Sequence, residues 1–202
     1  MRRSEVTEEM IRKEWFPNHE GLYQKIGGAV EEGNHERLIW AAPETNCFSV
    51  HYIRYKNYLM VTGDIGCATY WWSQSNNLRW IAGCNLGYFA GKCEASELGR
   101  QYEETSMDLL RARLEDLFKT EEYAACKAAF DEYNGWDKLE DEITWQCFCR
   151  THGYDIFGED WFMCLPDGKR ISPRCHGHLV GLKMAFEQMS DAFDNKGNVK
   201  GR

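Results

Sequence analysis

Apolar and polar positions alternate most clearly between Cys47 and Trp72, the densest run of β-branched and aromatic residues in the chain. A period of two over such residues predicts strands. Three are expected here, antiparallel and spanning roughly 47–54, 58–62 and 67–72. Lys56-Asn57 forms the first turn, with Asn57 expected to take the left-handed backbone, and Gly63-Asp64-Ile65-Gly66 forms the second. Phe48, Val50 and Tyr52 should share one face, with Ser49 and His51 on the other. A further strand over 36–42, stopped by Pro43, brings the sheet to at least four strands.

Elsewhere the spacing is helical. Short helices are expected over 4–15, capped by Ser4 and stopped by Pro17, over about 19–30, and over Leu86–Glu94 behind Asn85. Three helices follow in series. In the first, behind Thr105, Met107, Leu110, Leu114, Leu117 and Phe118 make one stripe. Thr120 caps the second, which ends at Asn134-Gly135. The third runs from Trp136 to about His152, with Leu139, Ile143 and Cys147 inward and Gly153 at its end. The remainder predicts a hairpin, Trp161–Leu165 with Lys169–Ile171 around Asp167-Gly168, and a helix over 178–193. The expected fold is α+β: an antiparallel sheet of four or more strands packed by helices, with an acidic three-helix segment. The expected regions are 1–102 (sheet), 103–153 (acidic helices) and 154–202 (hairpin and helix), together forming one compact domain.

Hydrophobic residues at 43% of 202 positions are enough to build a core. No apolar run approaches the roughly 20 residues of a membrane span, and no apolar stretch follows the N-terminus. Nine scattered cysteines read as reduced thiols. A cytoplasmic protein is therefore expected. Charge changes the picture more. Residues 103–142 hold thirteen acidic and five basic residues, an excess equal to the whole net charge of −8.

Candidate chemistry is sparse. Gly33-Asn34-His35-Glu36, Gly63-Asp64 and His176-Gly177-His178 resemble pieces of metallophosphoesterase motifs, whose Asp, Asn and His residues hold two metals against a phosphate. Their order is reversed and the opening Asp-x-His block is missing. Cys147 and Cys149, two apart on a helix, point about 200° from each other and make a poor zinc pair; Cys164, Cys175, His176 and His178 lack a well-spaced second pair. Cys/His nucleophiles have no local signature. Trp71, Trp72, Trp80 and Tyr88 have the chemistry to stack on bases, but the chain lacks a basic stripe. The acidic helices offer the sharpest hypothesis, a negative surface for a basic partner carried by Glu115, Asp116, Glu121, Glu122, Glu140, Asp141 and Glu142. The plainer alternative is a solvated face that keeps the protein soluble.

The stretch from Tyr58 to Tyr70, with Thr62-Gly63-Asp64-Ile65-Gly66 at its turn, then Trp80 and Tyr88–Cys93, resembles small proteins of bacteriophages and prophages. These carry a strand, a Tyr/Thr-Gly-Asp-x-Gly turn and a second aromatic strand. The resemblance implies an accessory protein of the host bacterial cytoplasm that inhibits a defence system, as anti-CRISPR proteins do. The expectation is a non-enzymatic inhibitor without cofactor or metal. Its partner would be a defence effector such as a Cas nuclease complex, bound without direct contact to nucleic acid or membrane. A metal-dependent phosphoesterase acting on a nucleotide signal, and a plain scaffold protein, are the alternatives.

Overall fold

A computed structural model describes residues 6–26, 35–45, 47–99 and 102–197, with side-chain detail ending at Ser190. In chain order the first elements are α1 (Glu8–Met10, widening into a π-type turn over Ile11–Trp15), β1 (Glu20–Lys25), β2 (His35–Ala41), β3 (Val50–Tyr55), β4 (Tyr58–Gly63), β5 (Ala68–Trp71), α2 (Leu78–Ala82), α3 (Leu86–Ala90) and β6 (Cys93–Ser96). Then come β7 (Glu103–Thr105), α4 (Met107–Leu117), α5 (Ala124–Glu132), α6 (Glu142–Phe157), α7 (Trp161–Cys164), β8 (Lys169–Ile171) and α8 (Pro173–Gly197). The fold is α+β. Two compact units divide the chain: a sheet unit, reaching Glu103 and resuming at Ile171, and a helical unit, Glu104–Arg170. The two crossing stretches, β7 and β8, pair as a short ribbon.

In the sheet unit, β1 to β6 form an antiparallel meander in sequence order. Val50, Tyr52 and Arg54 point inward from β3, as do Leu59 and Val61 from β4 and Tyr70 from β5. The helix α8 packs on this inner face, where the Tyr52 hydroxyl donates to the His178 carbonyl at 2.8 Å. Gly181 permits the approach, since a Cβ there would stand 2.6 Å from the Tyr52 oxygen. At the β4–β5 turn Gly63 has φ +138°, and a Cβ would meet the Ser49 carbonyl at 2.1 Å. Only glycine fits.

Several expectations are corrected here. The helix foreseen over 19–30 is the strand β1, paired with β2 from Glu20↔Ala41 to Lys25↔Glu36. Pairing satisfies its backbone and lays Tyr23 against Phe186, and this tertiary gain overrides the local preference. The left-handed residue of the β3–β4 turn is Lys56 (φ +52°), not Asn57. Phe48, with φ +58°, precedes the strand and stacks on Trp15 instead. α2 was not foreseen; Asn77 caps it by accepting from the Trp80 N–H at 2.7 Å. The helix behind Asn85 stops at Ala90, because Cys93–Ser96 leaves to pair with β5. Ser4, expected as a cap, lies outside the described residues, and Thr7 accepts from the Met10 N–H at 3.2 Å.

In the helical unit Leu110, Leu114, Phe118, Phe130, Trp145 and Phe148 build the core. Phe130 is its hub, with ring centroids of Trp136 at 5.0 Å, Phe118 at 5.1 Å and Phe148 at 5.6 Å. Ser106, not Thr105, caps α4 by accepting from the Leu109 N–H at 3.3 Å. Asn134 breaks the chain after α5 in the left-handed conformation, as its type allows. The third helix starts later and runs further than expected, from Glu142 to Phe157. Gly153 sits within it, and its missing side chain leaves room for the Trp161 ring. Trp161–Cys164 is a helical turn, so the foreseen hairpin does not form; Lys169–Ile171 pairs with Glu103–Thr105 instead.

Candidate interaction surfaces

Two groups of polar side chains in the sheet unit's interior are engaged with one another. The Arg54 guanidinium donates to Glu36 at 2.6 Å, both buried, and Glu36 also accepts from the Tyr23 hydroxyl (2.5 Å) and the Leu78 N–H (2.9 Å). Deeper in, the Tyr70 hydroxyl lies 3.0 Å from His178 Nδ1 and donates to Cys175 Sγ at 3.6 Å. Burial pushes the Cys175 thiol up to about 12 and the His178 imidazole down to about 3. Both are neutral at pH 7, the reverse of the thiolate–imidazolium polarisation that activates a cysteine nucleophile.

The metallophosphoesterase-like fragments do not converge. His35 pairs with Tyr55 and Gly63 with Val50, so His35 and Asp64 lie at opposite ends of β3, about 17 Å apart at strand rise. Asp64 accepts from the Ser49 N–H at 3.2 Å, which holds the turn. Gly33 and Asn34 lie outside the described residues. Cys149 is buried and Cys147 exposed, on opposite sides of α6. Among the described residues no three His, Cys, Asp or Glu side chains are placed to share a metal ion. Nor is any helix among them long and apolar enough to cross a membrane.

The helical unit is organised differently. Its 67 residues carry sixteen carboxylates and eight bases, so the entire charge excess belongs to it and the rest of the chain balances. All seven carboxylates singled out by the sequence are exposed. Glu115 and Asp116 lie on α4, Glu121 and Glu122 on the turn before α5, and Glu140, Asp141 and Glu142 at the start of α6. Asp116 is paired with Lys119 at 2.7 Å. Asp141 is the cap of α6: the Thr144 N–H (2.9 Å) and hydroxyl (2.7 Å) donate to it and hold its carboxyl below the usual range. Glu142 accepts from Gln146. Glu115, Glu121, Glu122 and Glu140 form no ion pair among the described residues.

What sequence spacing missed is the outer face of α6. Ile143, Cys147, Arg150 and Tyr154 fall within about 60° of one another at 100° per residue. They point away from the buried Trp145, Phe148, Cys149 and Ile156. Ile143 is 75% exposed and Tyr154 66%, and beyond Gly158 come the equally exposed Phe162 and Met163. Glu140, Asp141 and Glu142 precede this stripe in the chain; Asp155, Glu159 and Asp160 follow it. Ile143 and Cys147, expected inward, are thus on the surface. Two apolar stripes compete on this helix, and the one containing Trp145 and Phe148 removes more area from water.

The sheet unit has an exposed face of its own, opposite α8. Across the ladder His35, Tyr55, Tyr58 and Trp71 form one row, and Arg37, Ile53, Met60 and Thr69 the next. Leu22, Ile39, His51 and Thr62 make a third. The His35 and Tyr55 rings stack with centroids 4.5 Å apart. Comparison of the chain with family models, curated proteins and solved structures returns no match. What the protein binds must be argued from these surfaces.

Proposed function

We propose that the protein is a binding protein whose helical unit docks onto a basic, partly apolar surface of another protein. The observation that carries this is the outer stripe of α6: an apolar helix face set among carboxylates inside the segment Glu104–Arg170, whose acidic excess equals the net charge of the whole chain. Apolar contact supplies affinity at the centre of such an interface, while the surrounding carboxylates steer encounter and reject acidic surfaces. Proteins that handle nucleic acid present the complementary chemistry, cationic grooves lined with Lys and Arg. With the resemblance of the Tyr58–Cys93 region to phage proteins, this gives the specific form of the proposal. The chain acts as a phage-type inhibitor of a bacterial defence effector, occupying the effector's nucleic-acid site or blocking its assembly.

The test is capture from bacterial lysate on immobilised protein, beside the E115K/E121K/E122K/E140K variant, none of whose altered residues serves an ion pair. Nucleic-acid-handling proteins retained at low salt, released as salt rises and lost from the variant are the expected result. Equal retention by both forms overturns the proposal. A second variant, I143S/Y154S, should weaken retention at every salt concentration, since it removes the apolar contact and leaves the charge.

A further inference from the structure

The outer face of the six-stranded sheet is built to be covered. An antiparallel sheet with one side packed on a helix ordinarily presents polar residues on the other. Here Leu22, Ile53, Tyr55, Tyr58, Met60 and Trp71 stand on that other side, each between 37% and 55% exposed. Together they show roughly 600 Å² of mostly apolar surface to water, at the upper end of what an unpartnered monomer displays. Formal charge is sparse on the face: Arg37 lies in the middle row, Glu20 at a corner beside Ala41, and the Lys56 ammonium 5.1 Å over the Tyr55 ring. Depletion of charge with enrichment in aromatics and Met marks the core of an interface.

We infer that this face binds the same face of a second copy of the chain, making a sheet-on-sheet dimer related by a twofold axis. Three observations favour that occupant. First, the six exposed side chains with the half-buried ones between them make a patch of the order of the ~800 Å² per partner of a stable interface. Second, the ladder from β1 to β5 gives a broad surface of paired strands, and such surfaces pack well on each other about 10 Å apart. Third, the charges at this face are few and of both signs, Arg37 and Lys56 with Glu20, so two copies meeting here bring together no block of like charge, while a basic partner finds little on it to select it. Single-stranded nucleic acid, which the rings of Tyr55 and Tyr58 have the shape to stack on, is less favoured. The face offers Arg37 and Lys56, where a backbone-tracking groove needs several cations in line.

The experiment is sedimentation velocity of the full chain from about 1 to 100 μM, a range that spans micromolar dissociation constants. Dimer at the upper concentrations, little altered by salt, is expected. I53K/M60K places two ammonium groups on the outward side, where no fold contact is lost, and should weaken association about 100-fold, as removal of central contacts does. Y58K, at the neighbouring hairpin, is the second variant, and far-ultraviolet circular dichroism checks that each still folds. A monomer at every concentration overturns the inference. So does a dimer indifferent to all three substitutions, or a monomer whose tryptophan fluorescence is quenched by oligodeoxythymidine in the native chain and not after Trp71→Phe. This proposal is independent of the one made for the helical unit, and E115K/E121K/E122K/E140K should leave the dimer intact.

Discussion

The sheet unit and the helical unit bury similar aromatic residues but treat charge in opposite ways. The sheet unit takes charge inside: Glu36 and Arg54 are almost completely buried, and His19 and His178 lie among its core side chains. Its charges nearly balance, with 16 acidic and 14 basic residues, and its exposed face is mostly apolar. The helical unit has Ser106 as its one buried polar side chain among the described residues, and keeps its carboxylates exposed except Glu104, which is half-buried against Arg170. A buried ion pair contributes little net stability but makes the structure intolerant of losing either partner. Carboxylates left in water contribute almost nothing to folding and remain available to a partner. One unit therefore uses its charges to specify a fold, while the other displays them.

The largest expected effect breaks that contrast from the sheet side. Arg54→Leu leaves Glu36 buried without its counter-ion and should cost about 3–5 kcal/mol. Hydrogen exchange read by mass spectrometry should show faster exchange in peptides spanning 35–96 and unchanged exchange in 107–164. Equal acceleration in both would mean that the two units unfold as one.

Acid sharpens the same contrast. His178 is held neutral by burial, with its ionisation moved down to about 3, while in the unfolded chain it titrates near 6.5. Above pH 6.5 neither state takes up the proton. Below it the unfolded chain does and the folded one does not, so stability falls with pH by up to about 1.4 kcal/mol per unit. Burial shifts His19 in the same direction. Urea unfolding between pH 7.5 and 5, above the carboxylate range, should show the loss, and His178→Gln should flatten it while keeping a partner for Tyr70. An unaltered slope in that variant would assign the effect elsewhere.

The smallest effect is on the helical side. Ser106→Ala removes the cap of α4 and should lower the stability of that unit by about 1 kcal/mol, leaving the pH response of the sheet unit as it was. Thermal melts at pH 7.5 and 5.5 read both parts of this expectation.

Much of the architecture was legible in residue order because its causes are local. The alternation of Val50, Tyr52 and Arg54 against His51, Ile53 and Tyr55 reports a two-sided strand whatever surrounds it. Gly63 and Gly66 report a turn that residues with a Cβ rarely make, and the crowding of carboxylates from Glu103 to Glu142 is a matter of counting. β1, the reach of α6 and the role of Trp161 were decided by distant parts of the chain. β1 exists because β2 offers an unpaired edge and α8 a surface for Tyr23; the α6 helix continues past Gly153 because Trp161 folds back to fill the gap.

In α6, Ile143, Cys147 and Tyr154 lie on one side and Trp145, Phe148 and Ile156 on the other. Helical periodicity fixes which residues share a face, since that follows from 100° per residue. It does not say which face is buried, because that depends on what the rest of the unit brings up against it. The chain by itself determined the central strands β2 to β5, the Gly63–Gly66 turn and where its charge lies. Packing decided which of the competing apolar faces became core and which stayed on the surface.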